Sequence, residues 1–304
     1  IIYWPVAGFS FITGLDQVLL IDNTLLAHMN TNTVTDLFFS SSGGRYMPLS
    51  MLSYAVDIHF AGTAPLRWIH LSNLMLHLAN ILLFYGLMKL LFRKSLVYIP
   101  VVLLFALHPL NVESVAWITS RPQLLSAFFI LCSLLCYILA KETEKKKKLL
   151  RSLAFFFFIL ALFSGPMAIV VPLILFFMER YRGKLKRSWY AGMAPWFLLS
   201  ALFLFIAALI PDSPDIMDPV RGSRQTILSF LFATSVLTWK FFIPLGSAAY
   251  HPAPGTFDVS DILSISGVII ILLFPVLFWR SKPGLSGLML LWITTLGISV
   301  LFSP

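Results

Sequence analysis

The chain is poor in charge, in acids and in cysteine. Charged residues make up 12% of its 304 positions and only 13 are acidic, while 59% are hydrophobic. The mean hydropathy of +0.88 excludes an ordinary soluble domain, about a quarter of which is charged. The two cysteines, Cys132 and Cys136, stand four apart in one apolar segment. They form no disulfide framework or zinc spacing and read as small core residues. No P-loop, serine triad, zincin motif or 20–50-residue repeat is present. The short-period alternation of a membrane barrel is missing too. The net charge of +9 does not point to nucleic acid, because the basic residues gather at the ends of apolar segments.

What is present is a series of apolar runs. They predict helices over 1–13 (the end of a first span), 66–90, 95–107, 114–140, 149–164, 166–179, 189–210, 224–244, 260–279 and 283–302. The expectation is an all-α integral membrane protein, a single domain over 1–304 with about nine to ten membrane helices. Residues 14–65 form a long first outer loop, in which MPLSMLSYAVDIHFAG reads as an amphipathic helix lying along the membrane surface. Several segments are shorter than the roughly 20 residues of a clean span. Broken helices fit where the backbone lines a protein-walled cavity. The start, IIYWPVAGFSF, and the end, VLFSP, read as cuts within a longer protein.

Orientation follows from charge. Lys89, Arg93, Lys94, the run Lys141–Lys148 with Arg151, the group Arg180 to Arg187, and Arg280 with Lys282 hold 16 of the 22 basic residues and are expected to be cytoplasmic. Ten of the 13 acids, Asp16, Asp57 and Glu113 among them, fall on the other side. The 224–244 segment breaks the parity and is expected to re-enter or lie on the surface, with Lys240 facing a cavity or the headgroups.

Three groups of residues could carry chemistry. His70, Asn73, His77 and Asn80 fall within about 80° of one another on a helix. Such a polar stripe either hydrogen-bonds to neighbouring helices or contacts ligand, with His70 nearest the outer surface. Asp16, at the end of the first span, could act as a base toward an acceptor hydroxyl or be a solvated helix-end acid. The stretch HPLNVESVAWITSRPQLLS, residues 108–126, sets His108, Glu113 and Arg121 between two apolar segments. Ionisable groups at such a junction are costly and mark sites. Arg121 with Lys240 could hold a phosphate, or Arg121 could pair with Glu113.

That stretch resembles the HPLHVESVAWV-x-x-R-x-x-LLS signature of bacterial polytopic glycosyltransferases of the GT-C type, related to the transmembrane and tetratricopeptide-repeat O-mannosyltransferases. PLSMLSYAVDIHFAG, HLSNLMLHLANILLFY, SGPMAIVVPLILFFMERY and WKFFIPLGSAAYHPAP are similar to further segments of that family, in order. The resemblance implies a GT-C-type bundle with a bilayer-open cavity, in a bacterial inner membrane. It implies transfer of a sugar from a polyprenyl-phosphate donor to a protein or glycan hydroxyl on the periplasmic side. Asp16 and Glu113 are then expected to be catalytic, and His70, Asn73, His108, Arg121, Lys240 and Tyr250 to bind donor. No metal ligand is assigned, and a divalent ion is left open. Some charged positions of the family are neutral here: Leu15, Met47, Gln123, Gly165 and Val236. They motivate the alternative, a catalytically degenerate scaffold that assembles with other membrane subunits.

Overall fold

A computed structural model describes Asp16, Leu20, Asn23, Leu26 and residues 31–42, 46–61, 65–93, 96, 98–181 and 187–209. The segments 1–13, 224–244, 260–279 and 283–302, with Leu15, Val236, Lys240 and Tyr250, lie outside the described residues. Among those described the regular elements are all helices, with no strand. The helices are α1 (Thr31–Phe39), α2 (Pro48–Ala61), α3 (Pro65–Leu91), α4 (Tyr98–Leu107), α5 (Leu110–Ala116), α6 (Arg121–Glu142), α7 (Lys147–Ser164), α8 (Val171–Tyr181) and α9 (Arg187–Leu209). Contacts group residues 1–168 and 200–216 into one compact unit, and 169–199 and 217–304 into another.

Two helices among the described residues are long and apolar enough to cross a membrane, α3 and the run from Ile118 to Glu142. The expected bundle of nine to ten membrane helices therefore reduces to these two within the described residues. Helix α3 shows the character most directly. Its polar stripe is buried, with His70, Asn73, His77 and Asn80 at most 2% exposed. Trp68, Met75, Leu78 and Leu82 on the opposite side are 46–71% exposed. A soluble helix puts its apolar face inward; this one is inverted, as in a helix whose outer solvent is lipid.

The expected helix over 114–140 is broken. Helix α5 ends at Ala116, Trp117 is extended (φ −82°, ψ 121°), and a 3-10 turn spans Ile118–Ser120 before α6 starts at Arg121. Pro122 is the cause. It has no N–H to continue a helix running into it, but it fits the first turn of a new one. The same happens at 166–179, where a 3-10 turn over Pro166–Val170 precedes α8 and Pro172 sits in its first turn. Helix α1 was not anticipated in the first loop.

Helices α6 and α7 form an antiparallel hairpin with a seam of small residues. Ser126, Ser133, Ala154 and Ala161 are all fully buried. Ser126 and Ser133 stand seven apart on one helix, Ala154 and Ala161 seven apart on the other. Ser133 Oγ donates to Ala154 O at 2.7 Å and Ser126 Oγ to Ala161 O at 3.2 Å. Small side chains let backbones approach, and hydroxyls bond across, where no hydrophobic force drives helices together. At the end of α7, a Cβ on Gly165 would stand 3.1 Å from Pro122 O, so the backbones there leave little room for a side chain.

The first loop is packed. Leu20, Leu26, Leu37, Met47, Met51, Tyr54 and Ala55 join Ile69 and Ile118 in one apolar cluster. The helix expected along the membrane surface, α2, thus buries Met51, Tyr54 and Ala55 in protein, and Ser50 Oγ donates to Ser164 O at 2.7 Å.

A polar junction at the start of the signature helix

Residues 117–121, WITSR, hold the 3-10 turn between α5 and α6, and Thr119, Ser120 and Arg121 in it are all buried. Arg121 is 1% exposed. Its Nε donates to Asn73 Oδ1 at 2.8 Å, Nη1 to Ser53 O at 3.3 Å, and Nη2 to Ile69 O at 2.9 Å and to Ser72 Oγ. Nη1 also pairs with Asp57 Oδ2 at 2.5 Å. A guanidinium has five N–H groups, and all five have acceptors here. The charge also lies over the Tyr54 ring, 4.6 Å from its centroid. A cation in the first turn of a helix opposes the helix dipole, and Asp57, with Ser72 Oγ donating to it at 2.5 Å, offsets that cost.

The turn itself is held as well. Ile118 O, in the 3-10 turn, accepts from Tyr54 Oη at 2.7 Å and from Asn73 Nδ2 at 3.4 Å. Burial pushes the Tyr54 phenol well above its usual range, with the Arg121 charge pulling partly the other way, so it stays a donor. Asp16 is 1% exposed. Its Oδ1 accepts from Trp117 Nε1 at 2.9 Å and from Thr119 Oγ1 at 3.0 Å.

Of the expected site residues, the junction brings Asp16, Asn73 and Arg121 together. Asp16 is a buried acid held by two donors and not a solvated one. Asn73 bridges Arg121 and Ile118, and Asn80 Nδ2 donates to Leu124 O at 3.0 Å. These two members of the stripe therefore bond between helices. His70 is buried on α3, and His108, 8% exposed, precedes α5. Glu113 lies on α5, its side chain outside the described residues. Arg121 is already engaged by protein acceptors, so a phosphate would reach it by displacing one of them. Its ion-pair partner is Asp57, on α2. Lys240 and Tyr250, being outside the described residues, are not located. Among those described, no three His, Cys, Asp or Glu side chains gather as metal ligands.

Sequence reasoning missed Trp117, Thr119, Tyr54 and Asp57. Trp117 and Thr119 stood inside the motif, but neutral donors gave no signal apart from the acid they hold. Asp57 counted only as an outer-side acid. Met47 and Gly165, two of the neutralised positions, are packed: Met47 in the apolar cluster, Gly165 against Pro122.

No protein-family model matches the chain, and no solved structure does. Curated proteins do. The chain is 40% identical over 104 residues to protein O-mannosyl-transferase tmtc2 of Xenopus laevis, a stretch that covers 34% of this chain and 12% of that one. It is 34% identical over 121 residues to the Homo sapiens TMTC2 protein, covering 39% and 14%. The human TMTC3 protein matches at 34% over 100 residues, covering 33% and 11%. The chain spans only about an eighth of the length of such relatives. Over about a third of its own length, then, this chain is related to the TMTC protein O-mannosyl-transferases.

Proposed function

We propose that the chain is the membrane part of a GT-C-type glycosyltransferase that passes a sugar from a polyprenyl-phosphate donor to an acceptor hydroxyl, with a protein as the acceptor. The carrying observation is the buried Asp16 carboxylate, fixed by two donors beside the junction. Asp16 takes the proton of the acceptor hydroxyl as its oxygen attacks the anomeric carbon. The bond from that carbon to the phosphate oxygen breaks, and the phosphate leaves with the electron pair. Lys240 neutralises the leaving phosphate, and Tyr250 donates a hydrogen bond to it. His70, His108 and Glu113 orient donor or acceptor. Arg121 and Asn73 serve the site by holding its walls.

The orientation in this reading puts Asp16 at the periplasmic face of a bacterial inner membrane. Asp16, Asp57 and Arg121 stand at one end of the unit formed by α2, α3, α6 and α7. Arg93 pairs with Glu142 and Lys147 with Glu144 at the other. Basic residues collect on the cytoplasmic side, which supports this direction. The test is transfer of labelled mannose from polyprenyl-phosphate mannose to proteins of cells expressing the full chain. Asp16→Asn should lower transfer by about 10²–10⁴-fold while the protein still folds, by circular dichroism. Full activity in that variant would end the assignment.

A second reading, a scaffold without catalysis, draws on Met47 and Gly165, where packing has replaced charge, and on the engaged Arg121. It expects no transfer by the intact chain and a membrane subunit that stays with it through purification.

A further inference from the structure

Two groups that hold Asp16 come from one turn and act on one oxygen. Trp117 and Thr119 are neutral, and each donates to Oδ1, at 2.9 and 3.0 Å. The residue between them, Ile118, turns its carbonyl the other way, to Tyr54 and Asn73. Two positions beyond Thr119, the five N–H groups of Arg121 anchor the start of α6 to α2 and α3. The turn is thus fixed between the two donors and again just beyond them. An indole N–H is a donor only and cannot approach the carboxylate in any other role. Two donors on one oxygen set where that oxygen sits and restrict rotation of the carboxylate about its bond to Cβ. Hydrogen bonds to a charged acceptor are the strong ones, so this arrangement resists the thermal spread that would otherwise displace a base by the ångström that matters.

We infer that Trp117 and Thr119 are positioning residues for Asp16, fixing the carboxylate through Oδ1 in the geometry needed to accept the hydroxyl proton. This rests on Asp16 acting as the base. The indole and the hydroxyl touch neither donor nor acceptor in this scheme. Their loss therefore slows the chemical step and leaves donor binding alone.

The experiment uses the full chain and the mannose-transfer assay, with the concentration of polyprenyl-phosphate mannose varied. Thr119→Val keeps the side-chain shape and removes the donor. Its kcat should fall about tenfold with KM for the donor within about twofold, the loss expected for one hydrogen bond to a charged group. Trp117→Phe should behave alike. Thr119→Ser, which restores a hydroxyl, should recover most of the rate. In an Asp16→Asn background, Thr119→Val should cause no further loss, because positioning has nothing left to act on. A Thr119→Val protein that is folded, by an unchanged circular-dichroism spectrum, and has wild-type kcat overturns the inference while the base assignment stands. So does a fall in rate carried by KM, or a Thr119→Ser variant as slow as Thr119→Val. An active Asp16→Asn protein, or an intact chain without transfer, overturns the base assignment and the inference with it.

Discussion

Two buried regions of the same helical unit are held together by opposite means. At its start, α6 is fixed by charge: one guanidinium, one carboxylate, an aromatic ring and several carbonyls around Arg121. Along its length, the same helix meets α7 through side chains that almost vanish: Ser126, Ser133, Ala154, Ala161 and Gly165. The first region gains specificity from directional bonds and is costly if one member is lost. The second gains close backbone approach and is costly if anything is added. Helix α6 is thus vulnerable to removal at Arg121 and to added volume along its seam with α7, which begins in the same first turns.

The comparison breaks most readily at Arg121. Arg121→Leu should destabilise the protein by about 3 kcal/mol, the low end for breaking a buried pair, because the side chain of Asp57 is 20% exposed and reaches water. Chemical denaturation in detergent measures it, and a neutral result would mean that the charged junction holds nothing. At the seam the effect is smaller and of the other kind. Gly165→Lys, which puts back the charge seen in the apparent family, should cost about 1–3 kcal/mol, since its Cβ meets backbone at 3.1 Å. A stable Gly165→Lys protein would show that the close approach at Pro122 can relax. Tyr54→Phe removes the hydroxyl bond to Ile118 O but keeps the ring under Arg121, and about 1 kcal/mol should be lost. Ser133→Ala sharpens the contrast. It removes the seam's 2.7 Å bond to Ala154 O yet adds no volume, so a loss of about 0.6 kcal/mol is expected by the same measurement.

The residues show why one region was legible in the sequence and the other was not. The stripe on α3 and the lone charges of 108–126 stand out because polar groups are rare in an apolar chain. Their addresses were therefore readable, but their partners were not. Arg121 could be paired with Glu113 by nearness in sequence, whereas Asp57, 64 positions away, is the partner that the packing of α2 provides. The break before α6 was announced by Pro122, though the apolar run across it read as one helix. The seam was invisible for the reason that makes it work. Serine and alanine seven apart carry no signal in a hydropathy pattern, because what they contribute is the absence of bulk. Gly165 looked like a lost lysine, and in the fold it is a fitted contact.

The pairing along the hairpin also limits how the chain can change in length. Ser126 faces Ala161 and Ser133 faces Ala154, so each step along one helix is matched by an equal step back along the other. A residue inserted in the turn between Glu142 and Lys147 leaves both partnerships open to re-form. A residue inserted between Ala154 and Ala161 rotates everything beyond it by about 100° and turns Ala161 and Gly165 away from α6. The start of α6, where Arg121 and the turn that holds Asp16 stand, would lose its backing. Length variation among related chains should therefore collect at the turn and spare the interior of α7.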